Sequence, residues 1–263
     1  MNLNLKPQFE LVDELLALAV GIAQRAGELL CKRPEDFDIN QKSSARDFAT
    51  HMDLASETLI VNEILLARPN DGIIGEEGAH RQSKSGITWV IDPIDGTVNY
   101  FYNLPGWNIS IAAKDSEGVL IGIVYAPTLN SLWSASRGGG SFINGKPIHC
   151  SEAQLLEESL IATGFSYDLE ERIRQGAKLA SLIPRVRDIR RNGAAAVDLC
   201  HVASGAVDGY FESGLKEWDL AAGGLIAREA GALVTGRNGA PAGEAMVIAA
   251  GPALHALLTL EIG

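Results

Sequence analysis

The 263 residues include 33 acidic and 22 basic side chains, a formal net charge of −11 at pH 7, with 46% hydrophobic and 21% charged residues. That apolar content excludes a disordered chain and is ample for a buried core in one large domain or two fused ones. The negative charge argues against nucleic acid and anionic membrane as partners, because both attract basic faces.

Cys31, Cys150 and Cys200 are widely spaced, with no Cys-x-x-Cys pair. Neither a disulfide framework nor a zinc ribbon is expected. No apolar run reaches transmembrane length. The opening Met1–Gln8 stretch lacks a basic region followed by an apolar core, so no leader is expected and the expected location is a reduced cytoplasm.

Apolar residues recur at steps of three and four from Phe9 to Leu30, which predicts a long amphipathic helix stopped near Pro34. A second helix is predicted over Leu54–Ala67, ended by Pro69-Asn-Asp-Gly72. The period then changes. Gly72–Gly75, Ile87–Ile91, Trp107–Lys114, Gly118–Ala126 and Leu132–Ser136 read as strands. Asn144-Gly145 between Phe142-Ile143 and Lys146–Ile148 is a two-residue hairpin signal, preceded by a tight loop at Gly138–Gly140. Leu160–Thr163, Asp208–Glu212 and Ala245–Ala250 read as further strands, and Glu170–Leu182, Ala194–Ser204 and Leu220–Ala230 as helices. Blocks of helices and hairpins favour a layered α+β sandwich over a strict βαβ repeat. A soft boundary near Cys150 divides the chain into an N-terminal α+β subdomain (1–150) and a C-terminal α/β subdomain (151–263).

The chemistry concentrates in Trp89–Tyr100. An apolar strand delivers Asp92 and Asp95, with Pro93 between them, and Gly96-Thr97 then turns the backbone towards a helix start. Two carboxylates at a strand end repel unless a cation neutralises them, and exposed amides after Gly96 suit a phosphate oxygen. Alone, the pair reads equally well as turn-forming Asx residues. Glu76-Glu77 follows a strand and can reach the same crevice, although a solvated acidic loop is the simpler reading. Asp219 opens an apolar helix, as a cap or as a ligand. Asp53, after the mixed-charge stretch from Lys42, is a cap or a carboxylate that orients a water. The five histidines have no ligand spacing. Gly138–Gly140 precedes a hairpin rather than a helix, so it is no dinucleotide fingerprint. Arg190-Arg191-Asn192 reads as a solvated basic face.

Taken together, Ile74-Gly-Glu-Glu77, Trp89-Val-Ile-Asp-Pro-Ile-Asp-Gly-Thr-Val-Asn99 and Trp218-Asp-Leu-Ala-Ala-Gly-Gly-Leu-Ile-Ala-Arg-Glu-Ala-Gly231 closely resemble the inositol monophosphatase family of Mg²⁺-dependent, lithium-sensitive phosphatases. Arg191–Cys200 and Gly209–Glu212 resemble it as well. The resemblance implies an α/β/α/β/α layered sandwich, a homodimer, and two Mg²⁺ ions with a weaker third. It implies that Glu76, Asp92 and the carbonyl of Ile94 hold one ion, that Asp92, Asp95 and Asp219 hold the second, and that Glu76 helps the third. Gly96 and Thr97 would receive the phosphate. Thr97 with Asp53 would orient the attacking water, with Glu76 in the catalytic set and Lys42 and Glu77 in support. Ala195 and Glu212 would face the alcohol. The implied reaction is hydrolysis of a small phosphate monoester, inositol-1-monophosphate first, by metal-activated water. Fructose 1,6-bisphosphate, histidinol phosphate or a 3′-phosphonucleotide would use the same metal motifs, and a non-catalytic partner-binding protein could keep the scaffold. Two departures stand out: Gly78 where many members carry Ser, and a short stretch between Glu77 and Trp89.

Overall fold

The first two helices frame one outer layer. α1 (Leu5–Cys31) and α2 (His51–Ala67) bury Leu15, Ile22, Leu30, Ile60 and Ile64 in a common core. The computed structural model describes residues 5–44 and 47–262; Met1–Asn4 of the opening stretch, Ala45 and Arg46 of the mixed-charge stretch, and Gly263 lie outside the described residues. Between the helices, where no element was expected, the chain forms a small antiparallel hairpin of β1 (Ile39–Ser44) and β2 (Asp47–Thr50). Among the described residues no helix is long and apolar enough to cross a membrane.

Next comes an eight-stranded sheet of β3 (Gly72–Gly75), β4 (His80–Arg81), β5 (Thr88–Asp95), β6 (Asn108–Asp115), β7 (Gly118–Ala126), β8 (Ser131–Ser136), β9 (Gly140–Ile143) and β10 (Lys146–Pro147), with short α3 (Thr97–Phe101) after β5. Its order is β10-β9-β8-β7-β6-β5-β3-β4, antiparallel except between β3 and β5. The strand alternation sorts the side chains. Trp89, Ile91, Ile109, Ile111, Ile121 and Ile123 pack with α1 and α2, while Val90, Ala112, Val124 and Trp133 pack on the opposite side. Asn144 and Gly145 both have positive φ, 48° and 74°, as a tight two-residue hairpin requires.

The second sheet has the order β12-β11-β13-β15-β14, from β11 (Leu160–Thr163), β12 (Asp188–Arg190), β13 (Gly209–Glu212), β14 (Leu233–Thr235) and β15 (Val247–Ala250). α5 (Ala195–Ala203) and α6 (Glu217–Glu229) lie between the two sheets, within one apolar cluster shared by both. A β-carbon on Gly122 would come within 2.9 Å of the Ala222 backbone, so the small residues of Ala221–Gly224 let α6 lie directly on β7. α4 (Leu169–Leu182) and α7 (Pro252–Ile262) cover the outer face through Leu182, Leu254, Leu258 and Ile262. The result is the α/β/α/β/α layered sandwich.

Three of the boundaries that differ from expectation bear on the site. α2 begins at His51, so Thr50 is the N-cap and Asp53 sits inside the first turn. α6 begins at Glu217, which places Asp219 inside its first turn rather than at its cap. β5 runs on through Asp95 rather than stopping at Ile91.

Candidate active site

Sheet register brings the acids together. Parallel pairing sets Gly75 beside Ile91, and the Glu76 N–H donates to the Ile91 carbonyl at 3.2 Å. Glu76 therefore leaves β3 next to Asp92. Two residues of β5, Pro93 and Ile94, stand opposite the single residue Ile109 of β6, because Asp92 pairs with Ser110 and Asp95 with Asn108. That bulge changes the alternation, so two acids three positions apart can serve one crevice. Proline, which has no N–H to give, suits such a break in the ladder. Ser110, the partner of Asp92, donates through Oγ to the Trp218 carbonyl at 3.3 Å, which draws the start of α6 and Asp219 to the same place. Gly96 turns the chain with φ 84° into α3.

These side chains border a cavity of about 490 Å³ whose walls include Lys42, Glu76, Asp95, Thr97, Glu212 and Asp219. Asp92, 2% exposed, lies behind the wall. Burial, then repulsion from Glu76, Asp95 and Asp219, holds the Asp92 carboxyl well above the usual range. Burial, then Asp95, does the same for Asp219. Burial also raises Asp95, against the pull of its hydrogen bonds. Glu76 is pushed up to about 7 by burial, against the nearby Lys42. Lys42 loses cationic character to burial but regains more from Glu76 and Glu77, and stays raised overall. Its Nζ donates to Glu76 at 2.9 Å and to Glu77 at 2.6 Å.

Buried acids that raise one another's pKa form a set of hard oxygen donors, which suits Mg²⁺ in chemical type. Among the described residues, no three Asp, Glu, His or Cys side chains stand as a ready-made ligand shell. The carboxylates instead rest on hydrogen-bond donors. Asp92 takes the Ile94 N–H at 3.1 Å, and Asp219 takes the Lys216 N–H at 2.6 Å. Asp95 accepts from Asn108 Nδ2 at 2.8 Å and from the amides of Ala195 and Ala196 at 3.2 and 2.8 Å. Asp95 thus serves the open start of α5, whose own cap, Ala194, has no side-chain oxygen.

Asp53 fills the capping role considered for it and also reaches Thr97. Its Oδ2 accepts from the Thr50 amide and hydroxyl, each at 2.7 Å, while Thr50 Oγ accepts from Met52, a reciprocal cap for α2. Its Oδ1 lies 3.2 Å from the Thr97 hydroxyl. That hydroxyl also lies 3.0 Å from the Ile94 carbonyl, and its one proton serves one acceptor at a time. Burial raises Asp53 to about 6, against the hydrogen bonds from Thr50.

On the opposite wall, Glu212 accepts from Tyr210 Oη at 2.7 Å. Burial pushes it up to about 7. Gly164 leaves room for it, since a β-carbon there would overlap the Glu212 carboxylate. The basic run is exposed as expected, with one addition. Arg190 pairs outward with Asp188 at 2.5 Å, but Arg191 borders the cavity and lowers the pKa of Asp95 and Glu212. Gly193, at φ 94°, folds the chain so that Arg191 lies over it. Asp198 went unnoticed in the sequence. It is 1% exposed, accepts from Asn192 Nδ2 at 2.6 Å, and burial raises it to about 8. Its place on a helix of small residues is the one signal that could have found it.

The profile of the inositol monophosphatase family matches residues 11–261. A protein of Pasteurella multocida named Nus factor SuhB is 41% identical over 233 residues, 87% of each chain. An inositol-1-monophosphatase of Mycobacterium leprae is 37% identical over 264 residues, covering 92% of this chain and 91% of the relative. The solved structure of a Thermotoga maritima IMPase superposes with a TM-score of 0.87 at 32% identity, covering 94% of this chain and 96% of that one. Motifs, layered fold and whole-length similarity agree: the chain belongs to the inositol monophosphatase family.

Proposed function

We propose that the chain is a Mg²⁺-dependent phosphomonoesterase whose substrate is inositol-1-monophosphate. The observation that carries this is the convergence of Glu76, Asp92, Asp95 and Asp219, from one turn, one strand and one helix, beside the Gly96-Thr97 backbone. Glu76, Asp92 and the Ile94 carbonyl would hold one Mg²⁺, and Asp92, Asp95 and Asp219 a second, with Glu76 available to a third. Bound there, the ions would supply an acidified water and offset charge on the phosphoryl and leaving oxygens.

The remaining chemistry belongs to the protein. Gly96 and Thr97 receive the phosphate through their backbone. Thr97 and Asp53 form the pair that orients a water, with Asp53 ionised above about pH 6 and able to accept through Thr97. Lys42 steadies Glu76 and Glu77. Ala195 and Glu212 face the alcohol, and a carboxylate that accepts hydroxyl donors suits a polyol. Arg191 adds a cation on that side, which leaves room for fructose 1,6-bisphosphate, histidinol phosphate or a 3′-phosphonucleotide as the alcohol partner.

Phosphate release by the purified protein with Mg²⁺, measured across that substrate panel, tests the reading. Inositol-1-monophosphate should turn over fastest. A second reading, a non-catalytic partner-binding role, is favoured by the name Nus factor borne by the Pasteurella relative. Mg²⁺ binding without phosphate release from any member of the panel would favour that reading instead.

Family membership further suggests a homodimer. The free cysteines Cys31, Cys150 and Cys200 support a cytoplasmic setting, and the charge of −11 supports a small-molecule partner over nucleic acid or membrane. We assign most of the metal ligands to a 1–150 subdomain, and Asp219 and the alcohol contacts to 151–263.

A further inference from the structure

Helix α2 presents a buried polar stripe to the site. Asp53, Ser56 and Glu57, at 0, 0 and 5% exposure, occupy one face at steps of three and four. Polar groups buried this deeply are costly unless each finds a partner. Each finds one on a different active-site segment. Asp53 meets Thr97, and Ser56 Oγ donates to the Pro93 carbonyl, between Asp92 and Ile94, at 3.1 Å. Glu57 accepts from the Glu77 amide at 2.9 Å through one oxygen and from the Ala79 amide at 3.0 Å through the other.

Glu57 therefore grips the turn that carries Glu76 and Glu77 at two points, Glu77 and Ala79. Two charge-assisted bonds from a rigid helix are a stronger tie than the 3.2 Å backbone bond from Glu76 to Ile91. Gly75 makes the grip possible, since a β-carbon there would overlap the Glu57 carboxylate.

We propose that Glu57 is a positioning residue for the metal centre: its carboxylate fixes the Glu76–Glu77 turn so that Glu76 stands beside Asp92 in a geometry ready for a divalent ion. This rests on the metal reading above. It assigns α2 the task of holding the Glu76–Glu77 turn, the Asp92–Asp95 bulge and the Thr97 hydroxyl in mutual register.

The test compares full-length parent and Glu57→Gln, which keeps the volume but sets an amide donor against one of the two backbone N–H groups. Three quantities are measured: Mg²⁺ affinity by calorimetry, amide hydrogen exchange over residues 75–80 without metal, and phosphate release against Mg²⁺ concentration. In the variant the turn should exchange at least about tenfold faster, and Mg²⁺ affinity should fall by about tenfold or more. Turnover at saturating Mg²⁺ should stay within about threefold of the parent, a split between metal affinity and rate that general destabilisation would not produce.

Mg²⁺ affinity within about twofold of the parent, or unchanged exchange of the turn, overturns the proposal. A parent that binds no Mg²⁺ sinks the metal reading along with it, whereas a binding parent matched by its variant sinks this proposal alone. If Glu57→Gln does not fold, Gly75→Ala displaces the carboxylate and leaves its charge in place. It must then show the same loss of affinity, and parent-like affinity in that variant overturns the proposal.

Discussion

Asp198 offers a sharp test of the electrostatics around the cavity. Its carboxyl is 1% exposed and raised from 3.8 to about 8, first by burial and then by Glu212 and Asp95, against the hydrogen bond from Asn192. A carboxyl with a raised folded pKa binds its proton more tightly in the folded chain. Its stabilising contribution is full below the unfolded value near 4 and drains as pH rises towards about 8. Between pH 5 and about 8 that is three pH units at ~1.4 kcal/mol each, ~4 kcal/mol in the limit of a rigid, dry site. Relaxation and water entry reduce it, so about 2 kcal/mol is the smallest loss that fits such burial.

Asp198→Asn mimics the protonated acid and keeps an oxygen for Asn192. Urea unfolding at pH 5 and pH 8.5, followed by circular dichroism, measures parent and variant. The stability difference should shift in favour of the variant by about 2–4 kcal/mol on going to pH 8.5. Other raised acids titrate in both chains and largely cancel. A difference that stays constant within about 0.5 kcal/mol, or that shifts the other way, refutes the reasoning.

Asp95→Asn should lower phosphate release at least about tenfold, since it changes a proposed direct ligand, and parent-like Mg²⁺-dependent turnover would remove Asp95 from the centre. Thr97→Val deletes the hydroxyl 3.2 Å from Asp53; turnover should drop at least about 100-fold with Mg²⁺ affinity retained, as steady-state kinetics and calorimetry will show. Adding Mg²⁺ at ~100 times its dissociation constant should stabilise the chain by ~2.7 kcal/mol, or about 5–10 °C in a melting scan at this chain length, and chelation should reverse the gain. Leu15→Ala, at a fully buried position of α1, should cost about 2–5 kcal/mol in urea unfolding.

The layered fold and the Asp92–Asp95 pair were legible from local pattern, whereas Glu76 and Asp219 joined that pair only through the family resemblance. Strands such as β7 and β11 are short apolar runs between turn signals, and the Asp-Pro-x-Asp-Gly motif compresses a bulge, a turn and two carboxylates into five residues. α7 was missed because Pro252–Ile262 is apolar nearly all round, with Leu260 exposed beside buried Leu258 and Ile262, so no polar face marks its period. The β1–β2 hairpin was missed because β1 is polar in sequence and β2 is only four residues long. Arg191 is exposed as read, but its place beside the cavity left no mark, since nothing local shows that Gly193 folds the chain back under it. Glu57 and Ser56 left no trace for a related reason. Their partners lie 20 to 37 positions away, and on paper they are two ordinary polar residues of a helix.

The bond from Ser110 to the Trp218 carbonyl joins the eight-stranded sheet to the helical layer above it, while Asp95 reaches from that sheet to the first amides of α5. The candidate site is thus assembled at a seam between strata rather than within any one of them. Its alignment depends on how those strata slide over one another, so mild shear from heat, pressure or a repacked Gly122 contact should silence the chain well before it melts.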